Sequence, residues 1–223
     1  MNNLLLLGAI LLTFSLVVVL GKTLGEVGLI GFMGLATIMA NIFICKSVDL
    51  LGLSATLGNV MFASNFLITD ILTEVYGVKS ARKGVVFAIC SSVIFLAGSQ
   101  IALLFTPNEI DIAQESMANL FSFAPRITAA SVALFALSNV LDVTLYEKMR
   151  IKSGGKKMWL RNNLCTMLCN GGENFAFYFI AFGGLFPVKD LVAMGISATI
   201  IEVIIAVIDT PFLYLGKKVA KSA

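Results

Sequence analysis

The sequence predicts an all-α, polytopic integral membrane helix bundle, and three observations predict it. Hydrophobic residues make up 58% of the 223 residues and charged residues only 13%, against about 45–50% and about 25% in soluble domains. A soluble core of this size cannot hide so much apolar surface, whereas a bilayer solvates it. Six apolar segments each approach the roughly 20 residues that a spanning helix needs. Basic residues gather in clusters that recur after every second segment. At this length one domain, 1–223, is the default.

The six segments fall at 4–20, 27–45, 84–105, 127–146, 164–186 and 191–215. The first could mimic a signal peptide, but it lacks a basic n-region and stays apolar to Leu20, so it is read as a retained transmembrane helix. The second opens on Gly25, Gly28, Gly31 and Gly34, a spacing that lets helix backbones approach closely. Residues 55–76 form a weaker seventh candidate that carries Gly58, Asn59, Ser64, Asn65, Asp70 and Glu74. So many polar groups cannot face lipid. The segment must face protein or water, as a broken or re-entrant element or, in the alternative, as a seventh span. In the fifth span Gly171 and Gly172 are expected to interrupt the helix.

Charge predicts the orientation. Lys79, Arg82 and Lys83 form one cluster, Lys148, Arg150, Lys152, Lys156, Lys157 and Arg161 a second, and Lys217, Lys218 and Lys221 a third. Two spans separate each cluster from the next, so all three fall on one side, which the positive-inside rule makes the cytoplasm. Residues 106–125 lie opposite and carry Glu109, Asp111 and Glu115 with no basic residue. The chain is thus expected in the cell (inner) membrane with its C-terminus cytoplasmic. The N-terminus is inside if 55–76 re-enters and outside if it crosses. Lys22 and Glu26 cancel, so charge leaves that point open.

Several classes of function are excluded or disfavoured. The chain has no histidine, no metal-ligand spacing and no nucleophile–base pair, so an enzyme is not expected. Without a P-loop it does not itself hydrolyse ATP. Cys45, Cys90, Cys165 and Cys169 form no CxxC pair. Cys165 and Cys169 stand one helical turn apart, but without histidine they read as small buried hydrophobes, and no metal or cofactor is expected. No basic stripe points to nucleic acid. The expected partners are a small-molecule substrate and the lipid bilayer, with a homodimer as a further option.

The functional signal is carried by acids in apolar surroundings: Asp70, Glu74, Asp142, Glu173, Glu202 and Asp209. A charge at mid-bilayer costs roughly 2.5–3.5 kcal/mol on insertion scales. Such acids are protonated, face a wet cavity, or meet a ligand that donates hydrogen bonds. Asn170, Glu173 and Asn174 share one helix face at i, i+3 and i+4. That face reads as substrate-lining, or else as a polar cluster between helices. Asp70 and Glu74 also share a face, near Asn65 and Thr69, and either bind substrate or end a helix in water. Glu202 stands isolated in the last span and could carry a proton or pair with another helix. Asp142 and Asp209, near the membrane interface, read as structural. Each of Asp70, Asp142 and Asp209 precedes a tyrosine (Tyr76, Tyr146, Tyr214) and basic residues, which reads as interfacial tyrosines beside basic anchors. Arg126 precedes a span on the outer side, and Arg161 stands at the mouth of the polar fifth span.

Longer motifs carry a resemblance. Gly58-Asn59-Val60-Met61-Phe62, Thr69-Asp70-Ile71-Leu72-Thr73-Glu74-Val75-Tyr76-Gly77, Trp159-Leu160-Arg161-Asn162-Asn163-Leu164-Cys165-Thr166 and Ile208-Asp209-Thr210-Pro211-Phe212-Leu213-Tyr214 resemble the VUT family of queuosine precursor transporters, over about residues 40–214. That family usually has Gln and Asp where this chain has Asn170 and Glu173, and often Lys near Glu202. The resemblance implies uptake of 7-deazaguanines: 7-cyano-7-deazaguanine, 7-aminomethyl-7-deazaguanine or queuine. The chemistry agrees, because a carboxylate such as Glu173 or Asp70 accepts the paired N–H donors of a guanine-like edge. Asn170 would satisfy the adjacent carbonyl, and one of Phe62, Phe66, Phe175 or Tyr178 would stack on the ring. The candidate site is therefore Glu173, Asn170, Asn174, Asp70, Glu74, Asn65, Asn59 and Arg161. Secondary transport is the leading mechanism; the rival is a substrate-binding membrane subunit driven by a separate ATPase, as in vitamin-uptake complexes.

Overall fold

The computed structural model describes residues 1–220 apart from 51, 122, 123, 155 and 157. Two of the predicted basic-cluster residues, Lys157 and Lys221, lie outside the described residues. The described chain folds as α1 (Asn2–Thr23), α2 (Gly25–Phe43), a hairpin of β1 (Ser47–Leu50) and β2 (Leu53–Thr56), α3 (Gly58–Val75), α4 (Val78–Leu104), the short α5 (Gln114–Phe121), α6 (Ala124–Lys152), α7 (Met158–Phe182) and α8 (Val188–Ala220). The helical bundle is as the composition predicts. The antiparallel hairpin, in register from Ser47 opposite Thr56 to Leu50 opposite Leu53, is an addition to it.

Burial is inverted relative to a soluble protein. Leu4, Leu12, Val86, Ile94 and Leu104 are exposed on α1 and α4, while Asp70, Glu74, Asp142, Glu173, Glu202 and Asp209 are all buried. Lipid solvates the first set, and the second must find partners inside the bundle. Among the described residues, α1, α2, α4, α6 and α8 are long and apolar enough to cross a membrane. The chain is a multi-pass membrane protein. The two long helices outside that group, α3 and α7, are the ones that carry the predicted polar residues.

Helix α3 corrects one expectation. It is continuous over its 18 residues, about 27 Å at 1.5 Å per residue, close to the roughly 30 Å of a hydrocarbon core. It packs against α1, α2, α4, α6 and α8. Fifteen of its 18 residues are buried, which lets it be polar without breaking. Of the arrangements left open by the sequence, the structure has the one in which this segment runs through the bundle rather than re-entering. A second correction concerns α7, which continues unbroken through Gly171 and Gly172. A Cβ at Gly172 would meet nothing within 4 Å, so this glycine neither bends the helix nor receives a neighbour.

Two ends of the bundle are distinct. At the basic end the C-terminus of α3 meets the end of α6, the start of α7 and the end of α8. Only Tyr76 and Gly77 join α3 to α4, and Gly77 makes that reversal at φ +88°, where a side chain would be strained. The α1–α2 junction is also here: a Cβ on Gly25 would lie 3.3 Å from the Tyr76 hydroxyl. Burial, and next the neighbouring Glu26 carboxylate, push the Tyr76 phenol above its usual value. At the opposite end Asn41 accepts a 2.8 Å hydrogen bond from Ser131. There too Arg126 donates to Ile180 O at 2.9 Å and to Gly183 O at 2.7 Å, capping the end of α7. Asn2 donates to Asp49 O at 3.4 Å, which places the start of the chain with the hairpin at this same end.

The glycine spacing on α2 is used for packing at Gly28 and Gly34, whereas a Cβ on Gly31 would meet nothing within 4 Å. A Cβ on Gly34 would come 2.7 Å from the Phe87 ring of α4, and one on Gly28 would come 3.0 Å from Leu20 O. Late in α8, Pro211 lies inside the helix and has no N–H to give to the preceding turn, yet the helix runs on to Ala220.

Candidate functional site

Polar residues meet in three buried groups along the axis of the bundle. The first surrounds a small cavity of about 40 Å³ near the hairpin end, lined by α2, α3, α6, α7 and α8. Glu173 and Asn174 reach it from α7, Glu202 from α8, Asn59 and Phe62 from α3, Asn41 from α2, and Tyr178 from one turn beyond Asn174. Asn174 donates to Glu202 Oε2 at 2.8 Å. Asn59 accepts from Thr56 at 3.1 Å. Glu173 Oε2, Asn41 Nδ2 and Asn59 Nδ2 have no hydrogen-bond partner among the described residues, although all three are buried. A buried polar atom without a partner costs about 1–3 kcal/mol, and more if charged. The cavity thus offers one free acceptor and two free donors on facing walls, which is what a small polar ligand or a few waters can satisfy.

This cavity adjoins a larger one. A vestibule of about 850 Å³ shares Ile44 and Tyr178 with it and is lined further by Thr56, Asn119, Arg126, Phe182 and Phe186. Tyr178 and Phe182 are stacked with centroids 6.0 Å apart and planes 24° from parallel. The vestibule lies at the hairpin end, and its walls are aromatic with a few polar groups, the usual make-up of a small-molecule pocket.

The second group lies deeper, where Asp70, Asp142 and Asp209 converge from α3, α6 and α8. Asp209 accepts from Asn162 at 2.7 Å. Asn162 and Asn163 both donate to Thr210, at 3.3 and 3.0 Å. Asp142 Oδ2 and Asn162 Oδ1 are buried without partners.

The third group closes the basic end. Glu74 Oε1 accepts from Arg161, and Glu74 Oε2 accepts from Lys217. The Tyr146 hydroxyl donates to Glu74 at 3.3 Å, and Arg150 stands 3.9 Å away. The Arg161 guanidinium lies 5.0 Å above the Tyr146 ring and also donates to Lys156 O at 2.8 Å. One carboxylate therefore ties α3, α6, α7 and α8 together.

The eight predicted residues are distributed among these groups. Glu173, Asn174 and Asn59 line the cavity. Asn170 is buried on the same face of α7, with neither amide atom hydrogen-bonded. Asp70 belongs to the deeper acidic group. Glu74 and Arg161 are committed to each other, so Glu74 is not a water-exposed helix end and Arg161, 1% exposed, does not snorkel to an interface. Asn65 is turned away from the cavity and donates to Thr37 of α2 at 3.0 Å.

Other residues depart from the sequence reading. Glu202 is not isolated, because Asn174 bonds it. Asp142 and Asp209, read as interfacial, are 2% and 1% exposed inside the bundle. Tyr146 is fully buried under Arg161 rather than placed at a membrane surface, whereas Tyr214 is exposed. Lys217, Asn41 and Ser131 were missed. Of the four aromatics, Phe62 and Tyr178 line the cavity, Phe66 packs on Phe62 with centroids 5.6 Å apart, and Phe175 lies against Gly195.

Comparison with known proteins agrees with a transport role. Residues 56–216 match the family described as "Putative vitamin uptake transporter". A "Probable queuosine precursor transporter" of Bacillus subtilis (strain 168) is 36% identical over 206 residues, 92% of this chain and 90% of the relative. The "Queuosine precursor transporter" of Escherichia coli (strain K12) is 28% identical over 143 residues, 64% of this chain and 62% of the relative. A third, "Probable queuosine precursor transporter" of Haemophilus influenzae (strain ATCC 51907 / DSM 11121 / KW20 / Rd), is 27% identical over 128 residues, 57% of this chain and 52% of the relative. No solved structure matches the chain.

Proposed function

The chain belongs to this vitamin uptake transporter family, and from that premise we propose that it imports a queuosine precursor, a 7-deazaguanine, across the cell (inner) membrane by secondary transport. The reading draws on the names of the relatives and on one observation above all. Glu173 Oε2, Asn41 Nδ2 and Asn59 Nδ2 face one buried cavity with their hydrogen bonds unmade. A deazaguanine edge carries adjacent N–H donors for a carboxylate and a carbonyl for an amide donor. In a dry site each such pairing is worth more than in water.

The path follows from the same layout. The vestibule at the hairpin end faces outside and the basic end faces the cytoplasm, as the positive-inside rule requires. A flat base enters along the aromatic wall of Tyr178 and Phe182, whose faces suit a π-system, and passes Tyr178 to reach Glu173. The cavity of about 40 Å³ is smaller than a purine, so the base occupies it only after the α7 and α8 walls part. The Glu74 group holds the cytoplasmic end shut in this arrangement. The C-terminus is cytoplasmic, and with seven crossings the N-terminus lies outside.

The test is uptake of labelled queuine and 7-cyano-7-deazaguanine by cells unable to make them, and by liposomes holding the purified chain alone. We expect uptake in both settings and its loss with Glu173→Gln. Full uptake by that variant removes the central residue. Uptake in cells but never in liposomes favours a subunit of an ATP-driven complex.

A further inference from the structure

The deeper acidic group is unused by the substrate path, and it poses a charge problem. Asp70, Asp142 and Asp209 come from three different helices, are 3%, 2% and 1% exposed, and each stands within electrostatic reach of the other two. Like charges in a low-dielectric interior repel by several kcal/mol per pair, so an ionised trio needs positive charge beside it.

The surrounding groups do not supply enough of it. On α3, Glu74 is outweighed by its own partners Arg161 and Lys217, so that group is net positive, but by less than the three negative charges of an ionised trio. On α6, Tyr146 is neutral and donates to Glu74. On α7, Arg161 is the cation in reach, but its guanidinium is bonded to Glu74 and to Lys156 O. Cys165, also on α7, directs its thiol to Met149 Sδ at 3.7 Å. Glu173 reaches Asp142 as another acid. On α8, Lys217 is bound to Glu74. Among the described residues, Asn162 donates to the trio, giving 2.7 Å to Asp209.

A second observation points to a ligand here. Asn162, held against Asp209 by that bond and 0% exposed, leaves its Oδ1 without a hydrogen-bond partner among the described residues. Asp142 Oδ2 is in the same condition. Two lone-pair oxygens at the trio thus lack a hydrogen to accept, and protons on the carboxyl groups are the smallest species that supply one. Asn162 also donates to Thr210, next to Pro211 in α8.

We propose that Asp70, Asp142 and Asp209 form the proton-binding centre that couples transport to a proton gradient, separate from the cavity at Glu173. The inference rests on the transporter reading for its purpose, though not for its chemistry. A proton from the outer solution is taken up by the trio, travels inward with the base, and is released to the cytoplasm. Each cycle moves one proton inward, in addition to whatever charge the base itself carries.

The experiment has two arms, both on the full chain. In the first, infrared absorption of protonated buried carboxyl groups is recorded at neutral pH without substrate. We expect the band in the wild type and its reduction in both Asp142→Asn and Asp209→Asn. Absence of the band, or a band unchanged in both variants, overturns the proposal. In the second, sodium-free liposomes receive an inward proton gradient of about one pH unit at zero membrane potential, which supports about tenfold accumulation of labelled queuine at one proton per base. We expect that accumulation in the wild type. Both variants should fail to accumulate yet still exchange labelled for unlabelled queuine, which also shows that they fold. Accumulation by the variants as by the wild type overturns the idea, as does accumulation driven by a sodium gradient and not by protons. A wild type that neither accumulates nor exchanges queuine overturns the transport reading, while the infrared arm still decides the proton site.

Discussion

Glu74 of α3 and Arg161 of α7, 87 residues apart in the chain, form an ion pair whose side chains are 2% and 1% exposed. Desolvation makes such a pair a weak source of net stability, but breaking it strands a buried charge, at a cost of about 3–5 kcal/mol. Glu74→Gln should therefore lower the unfolding temperature in detergent markedly, because Arg161 and Lys217 lose their counter-charge together. A double replacement, Glu74→Leu with Arg161→Met, should recover part of the loss. A double variant no better than the single one would show that the pair is not what holds this end.

The cavity makes a sharper prediction about affinity. Asn174 donates a hydrogen bond to Glu202, and leaving a buried group without its partner costs about 1–3 kcal/mol. Asn174→Ala should raise the KM for deazaguanine uptake about tenfold or more. Asn65→Ala, which removes the bond to Thr37 away from the cavity, should change stability and leave KM alone. Equal effects on KM would place the site elsewhere.

Helix α3 enters the bundle under tight constraint. A Cβ on Gly58 would lie 2.8 Å from Ala40 O and 3.1 Å from Ile44 N, both backbone atoms that cannot rotate away. Gly58→Ala should destabilise by about 1–3 kcal/mol through overpacking. Gly8→Ala on α1, where a Cβ meets nothing within 4 Å, should be neutral or slightly stabilising. Thermal melts of the two variants in the same detergent compare them directly.

Passage of α3 through the bundle also predicts the topology. Single cysteines at Asn2 and Glu115 should react with an impermeant reagent added outside intact cells, and one at Lys218 only after permeabilisation. Labelling of Glu115 from the cytoplasm alone would invert the orientation, and labelling of Asn2 from that side would remove one crossing.

Much of this was legible from residues one turn apart. Asn170, Glu173 and Asn174 lie on one face because a helix puts them there, and the structure buries that face. Partners across the bundle were not legible. Glu202 meets Asn174 over 28 residues and Lys217 meets Glu74 over 143, distances that no local period encodes. Lys217 sits in a cluster whose plain reading is membrane orientation, and it serves both purposes. The polarity of α3 read as a break because a helix touching lipid would have to break. This one is enclosed by five others, so its polar groups face protein and its backbone stays regular. Asp142 and Asp209 were placed at the surface from their nearness to tyrosine and lysine, yet helices as long as α6 and α8 extend beyond them and carry the basic residues away.

Pro211 removes one rung from the hydrogen-bond ladder of α8, although the helix runs on to Ala220. Glu202 lies before the missing rung, and Lys217 lies about 9 Å past the proline at 1.5 Å per residue. Glu202 meets Asn174 and Lys217 meets Glu74, so a single helix carries two contacts from the bundle on either side of its weakest turn.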